Sequence, residues 1–166
     1  TGICLTDGIS GDQITIDDET GTESGVQTVK FADGTTWTSA QLITFGLAGA
    51  TSGAGYLYGT SAAETFDGKG APVGGQDYEH GGGGGDTFIY DRGYGRLEIN
   101  ETQQTSTPDN VLKLGEGIAA ADVSVTADDS GNLYLTDGTT GDRIELDSQR
   151  SGGGFGVQEV QFADGT

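Results

Sequence analysis

The middle of this chain holds a run of glycine-rich turns to a nine-residue register, and that register limits the fold more than any other feature. Gly81-Gly82-Gly83-Gly84-Gly85-Asp86-Thr87-Phe88-Ile89 puts an acid at the sixth position and a large apolar residue at the eighth. Large apolar residues recur at Leu57, Phe66, Phe88 and Leu97, with nine residues from Leu57 to Phe66 and nine from Phe88 to Leu97. Two residues before each stand Gly55, Glu64, Asp86 and Gly95. Asp77, nine residues before Asp86, marks a further turn, and a four-residue insertion falls within Gly68 to Gly75. A flexible glycine linker has no reason to keep such spacing. Short turns alternating with short strands do, and the register predicts five consecutive half-turns of a stack within residues 50–100.

In such a stack successive turns fall on opposite edges, so each turn lies on the next but one. On one edge the Gly59 turn with Glu64 meets the Gly81 turn with Asp86. That brings two carboxylates to one gap, with backbone carbonyls near Gly59, Ser61, Gly82 and Gly84. Calcium is a hard cation that takes six to eight oxygens at about 2.3–2.6 Å, and glycine allows the positive φ that aims carbonyls inward. This gap is the expected calcium site. On the other edge Asp77 is the sole acid between turns bearing Gly55 and Gly95, and a site there needs carbonyls, water or Asp91 to complete it. Glu79 stands at an apolar position and breaks the pattern.

The charge balance agrees with cation binding. The chain has 26 acidic and 7 basic residues, a net charge of −19 and a pI near 4.1, a surface that repels nucleic acid and anionic lipid. Hydrophobic residues make up 33% and glycine fills 32 positions. A conventional layered core is hard to build from this, so metal ions or repeat stacking are expected to add stability. Cys4 is the only cysteine, which excludes an intrachain disulfide and a thiolate cluster. Its apolar neighbours Ile3 and Leu5 predict a small packed side chain. No apolar stretch approaches the roughly 20 residues of a membrane helix. The opening residues do not resemble a natural start, which predicts a piece of something longer.

The two ends of the chain are versions of one segment. Residues 3–35 and 133–166 share apolar-x-Leu-Thr-Asp-Gly, then Gly-Asp-x-Ile-x-apolar-Asp, then Gly-Val-Gln-x-Val-x-Phe-Ala-Asp-Gly-Thr. From Phe31 to Phe162 is 131 residues, one period of a repeat that the chain over-covers. Such a period predicts a tandem array of modules, an arrangement suited to extension or multivalent display. The expected division is 1–49 as the last part of one module, 50–100 as the calcium-binding stack, and 101–166 as a flanking β region repeating 3–35. Alternating apolar residues at Gln13–Ile16, Val26–Phe31, Thr87–Tyr90, Val111–Leu114 and Leu133–Leu135 make the class all-β. Short helical turns are expected at Ser39–Leu42 and Ala119–Asp122. The segments around Asp12 and Asp142 read either as degenerate stack turns with further calcium or as hairpins turning at Asp-Gly.

These motifs resemble the RTX (repeats-in-toxin) family. Gly59-Thr-Ser-Ala-Ala-Glu64-Thr-Phe66, Gln76-Asp-Tyr-Glu-His80 and Gly85-Asp-Thr-Phe-Ile-Tyr90 look like its G-G-x-G-x-D-x-U-x nonapeptides. The flanks ending in Phe-Ala-Asp-Gly-Thr look like the haemolysin-type calcium-binding related region. The resemblance implies a short right-handed parallel β-roll flanked by strands and hairpins. It also implies type I secretion of an unfolded bacterial chain and calcium-driven folding outside the cell. Glu64 for Asp, Ala62 for Gly and the insertion depart from the family pattern.

The expected function is a calcium-dependent structural or adhesive module, with neighbouring modules of the same chain as partners. The alternative is calcium-dependent carbohydrate binding, with Tyr56, Tyr58, Tyr78, Tyr90 and Tyr94 as a stacking face. His80 is the sole histidine and no Ser–His–Asp order, nucleotide loop or thiolate cluster stands out, so the expectation is a protein that is not an enzyme.

Overall fold

The computed structural model describes residues 2–17, 25–48, 50, 55–71, 74–101, 109–152 and 154–165. Among the described residues, fourteen strands and one α-helix make the protein mainly β. The strands are β1 (Gly2–Thr6), β2 (Gln13–Asp17), β3 (Thr28–Lys30), β4 (Thr36–Thr38), β5 (Tyr56–Tyr58), β6 (Thr65–Phe66), β7 (Asp77–His80) and β8 (Thr87–Tyr90). They continue as β9 (Arg96–Asn100), β10 (Val111–Leu114), β11 (Ser124–Ala127), β12 (Leu133–Thr136), β13 (Arg143–Leu146) and β14 (Glu159–Phe162).

From β5 to β10 the chain passes back and forth between two sheets. Strands β5, β7, β9 and β13 are neighbours in one, and β6, β8, β10 and β14 in the other, all paired parallel. The first sheet is mixed rather than purely parallel, because β11 and β12 extend it through antiparallel pairings. Parallel pairing also continues past residue 100, since β13 and β14 of the second repeat copy join β9 and β10.

Register explains the core. Phe66, Phe88, Leu112 and Val160 form one column across the four-stranded sheet, with the rings of Phe66 and Phe88 stacked 5.0 Å apart. Facing it, Leu57, Glu79, Ile99 and Leu146 form a second column, and Asp77, Leu97 and Ile144 a third. The apolar residue in step with Leu57 and Glu79 is therefore Ile99, and Leu97 lies beside Asp77. The nine-residue spacing from Phe88 to Leu97 is out of step here: the 91–95 bend puts Ile99 in that column, and period-two alternation buries both Leu97 and Ile99.

Two further expectations change. The segment from Ser39 runs on as a ten-residue helix, α1 (Ser39–Ala48), because Leu42, Ile43 and Leu47 are buried. Ile43 and Leu47 join the main core, and α1 packs on β6 at the first end of the stack. Residues Ala120–Asp122 form one 3-10 turn, near the expected position. Cys4 is exposed rather than packed, because β1 alternates and turns Ile3 and Leu5 to its other face.

Candidate metal centre

Connections from the first sheet to the second lie on one edge of the stack, here the near edge: 59–64, 81–86, 101–110 and 147–158. Residues 102–108 of the third lie outside the described residues. A ladder of side-chain acceptors ties these turns together. Asp86 Oδ1 accepts the Glu64 backbone N–H at 2.8 Å, Asn110 Oδ1 accepts that of Asp86 at 2.9 Å, and Gln158 Oε1 accepts that of Asn110 at 2.9 Å. Each rung satisfies a buried donor that the sheets do not reach.

The glycines are fixed by proximity. A Cβ on Gly81 would collide with the Glu101 carboxylate and with Asp86 Oδ2. Gly82 sits at φ 91° with the Thr60 carbonyl against it. Gly59 lies against the Gly81 carbonyl, and Gly84 against that of Ala62. The first turn thus rests on the second, and the carbonyls at their contact belong to Thr60, Ala62 and Gly81. Ser61 is exposed.

The structure places Glu64 differently from the simple picture of two acids sharing a gap. Glu64 is buried but folds back on its own turn: Oε2 accepts the Thr60 N–H at 3.0 Å and Oε1 accepts the Thr60 hydroxyl. Glu64 still lies close enough for its charge to raise Asp86, and a second acid, Glu101, meets Asp86 as well. Glu101 follows β9, is 1% exposed, and occupies the position that Gly59 and Gly81 hold in the preceding turns. Asp86 Oδ2 and both carboxylate oxygens of Glu101 are buried with no hydrogen-bond partner. Burial, and then the Asp86 charge, push Glu101 up to about 8. Burial likewise pushes Asp86 up to about 6, against the lowering effect of the Glu64 N–H.

Three orphaned carboxylate oxygens on two adjacent acids are costly to bury without a proton or a cation. The donor set is all oxygen, with carboxylates and turn carbonyls together, which suits calcium and not a thiolate- or imidazole-seeking metal. Among the described residues no three His, Cys, Asp or Glu side chains converge at metal-holding spacing, so backbone carbonyls must supply much of any shell. Glu101 escapes sequence reading because it is a glutamate at a glycine position, ahead of a long connection.

On the far edge the acids have protein partners. Asp77 Oδ1 accepts the Gly55 N–H at 3.2 Å. Asp142 takes the N–H groups of Gly93 and Gly95 at 2.6 and 3.1 Å. Asp67 pairs with Lys69, and Arg92 Nε lies 3.5 Å from Asp137. Asp91 packs against Gly115. Two far-edge acids are incompletely satisfied: Asp137 Oδ2 has the Arg92 charge beside it but no hydrogen bond, and Glu79 accepts the Gly68 N–H at Oε1 (3.1 Å) while Oε2 is unpartnered, with burial raising it to about 8.

Both repeat copies turn as hairpins at Asp-Gly, β1 on β2 and β12 on β13. Of the five tyrosines expected to form a stacking face, Tyr90 is buried in the core and Tyr94 packs against it at 5.8 Å. Tyr56, Tyr58 and Tyr78 lie with His80 on the outer face, with Tyr56 on Tyr78 at 4.5 Å and Tyr58 on His80 at 4.8 Å.

Residues 4–41 and 132–166 match the haemolysin-type calcium binding protein related domain. The two matched regions support a relation to the RTX-like, haemolysin-type calcium-binding proteins. No curated protein matches it. Among the described residues no helix is long and apolar enough to cross a membrane.

Proposed function

We propose that the chain is a non-catalytic, calcium-dependent structural and adhesive module of a large secreted or surface-displayed bacterial RTX protein, and that its alternating parallel strands are a β-roll closed by calcium. The observation that carries this is the Asp86–Glu101 pair, whose three buried oxygens have no partner. Asp86 and Glu101 would hold the ion, with carbonyls of the 59–64 and 81–86 turns completing its shell. Bound calcium supplies charge neutralisation and folding free energy at the contact between turns. In a calcium-poor cytosol burying the pair costs protonation and desolvation and the chain stays open, as export of an unfolded chain requires. At calcium levels outside the cell, where extracellular modules bind at about 10⁻⁴ to 10⁻³ M, the near edge closes. Far-UV circular dichroism during a calcium titration tests this, with magnesium as control. Strand signal is expected to rise with calcium alone, and a chain fully folded in excess chelator that ignores calcium would refute it.

A second reading is carbohydrate binding. It is supported by Tyr56 and Tyr58, which are 47% and 40% exposed on edge strand β5 and parallel at 6.4 Å, each backed by a second ring. A glycan array run with and without calcium, against Tyr56→Ala/Tyr58→Ala, separates this from a purely structural role.

A further inference from the structure

The two repeat copies fold alike locally. In the first, Gly8 N–H bonds Thr6 Oγ1 at 3.1 Å, Ile9 N–H bonds Asp7 Oδ1 at 2.9 Å and Asp12 N–H bonds the Ile9 carbonyl at 3.1 Å. In the second, Gly138 N–H bonds Thr136 Oγ1 at 3.2 Å, Thr139 N–H bonds Asp137 Oδ1 at 2.8 Å and Asp142 N–H bonds the Thr139 carbonyl at 3.1 Å. The turns after β3 and β14 also match, with Gly34 N–H to Phe31 O and Gly165 N–H to Phe162 O both at 3.0 Å.

Their surroundings differ. The second copy closes the last turn of the stack. Its β13 lies on β9, with Arg143 N–H to Gly95 O and Asp147 N–H to Ile99 O both at 2.9 Å, and its β14 lies on β10. In the first copy β2 pairs with β1 alone and β3 with β4 alone, so among the described residues each keeps an open strand edge. Ile14 is 64% exposed where its equivalent Ile144 is 3% exposed. Asp12 is exposed where Asp142 is buried over two glycine N–H groups.

We propose that the open face of β2 and β3 is a docking surface for the end of another stack built from this same repeat. Its occupant is a parallel strand pair equivalent to β9 and β10, preceded by a Gly-x-Gly bend that donates to Asp12. The second copy shows what covers such a surface, down to the strands and the register, so the occupant follows from the chain's own interface. Because α1 packs on β6, the segment from β1 to α1 is a two-faced joint: β2 and β3 close one stack while α1 seals the start of the next. Modules joined this way stack end to end with a common core, and do not swing on linkers. The inference does not depend on calcium, although the test is run with calcium at saturation.

The test compares this chain with a tandem chain of residues 1–130 followed by 1–166, by hydrogen exchange read on the peptide Leu5–Asp17. In the single chain this peptide is expected to exchange fast, as one population. In the tandem chain it is expected to split into equal fast and slow populations, the slow one from the internal copy. Peptides covering β8 to β10 report in the same spectra that both stacks are folded. A single fast population beside slow β8 to β10 peptides overturns the proposal. A second arm uses substitutions in the single chain. Ile14→Asp is expected to leave the melting midpoint unchanged while Ile144→Asp lowers it severely, and equal losses would show that the face is not open.

Discussion

On the far edge of the stack most acids face protein cations and N–H groups; on the near edge Asp86 and Glu101 face each other. Among the described residues the ion pairs are Lys69 with Asp67, Arg92 with Asp137 and Arg143 with Glu145, all at or beside the far edge. The near-edge turns 59–64 and 81–86, with Glu101, Asp109 and Asn110, contain no lysine or arginine. The fourth near-edge connection has Arg150, which is turned to the Asp128 carbonyl at 3.0 Å. An edge that neutralises its own charge has little to gain from a metal ion. An edge with unpartnered buried carboxylates has much to gain. The same turn-and-strand economy therefore yields one edge largely neutralised by the protein, Glu79 and Asp137 apart, and one whose paired carboxylates are left to each other.

The comparison breaks most visibly at Asp86. Asn110 makes the equivalent rung of the ladder with a neutral amide, so Asp86→Asn keeps the bond to Glu64 and removes only the charge. Calcium affinity is expected to fall about tenfold or more, roughly 1.4 kcal/mol or above, by isothermal titration. Unchanged affinity would move the site elsewhere. Glu101→Gln sharpens the same point in the opposite sense. Without calcium it is expected to raise the melting midpoint, by roughly 2–4 °C for each kcal/mol of the cost of burying the acid that is removed. With calcium, most of the ligand-induced rise is expected to disappear.

Asp142→Asn probes the far edge. It weakens two bonds from glycine N–H groups and is expected to cost about 1–2 kcal/mol, equally with and without calcium and with affinity unchanged. A smaller effect follows from pH. Glu101 and Asp86 are raised in the folded state, so the calcium-free fold holds protons that the unfolded chain has released. Its stability is expected to decline as pH rises from the ordinary carboxylate range to about 8, whereas calcium affinity climbs across the same window. Chemical denaturation at several pH values checks the first, and titration calorimetry the second.

Much of the stack was legible because glycine turns and apolar positions are local. Leu57, Phe66 and Phe88 were in register from spacing alone, and Gly59, Gly82 and Gly84 were on the edge where they stack. What spacing misses is set at long range. The shift that puts Ile99 and not Leu97 in the Leu57 column depends on a bend whose length no neighbour reveals. Glu101 stands outside any nonapeptide, and its meeting with Asp86 arises only once β9 pairs with β7. The continuation of Ser39–Leu42 into a longer helix likewise depends on the core that buries Leu47. The repeat copies make the same point within one molecule, since Ile14 and Ile144 share a local sequence and differ wholly in burial.

The most direct test of the account is a calcium-soaked crystal measured at a wavelength where calcium scatters anomalously. The expected result is a peak on the near edge, bridged by the Asp86 and Glu101 carboxylates and bounded by carbonyls of the 59–64 and 81–86 turns. A peak confined to the far edge around Asp77 and Glu79, or no peak with Asp86 and Glu101 sharing a proton, would contradict it.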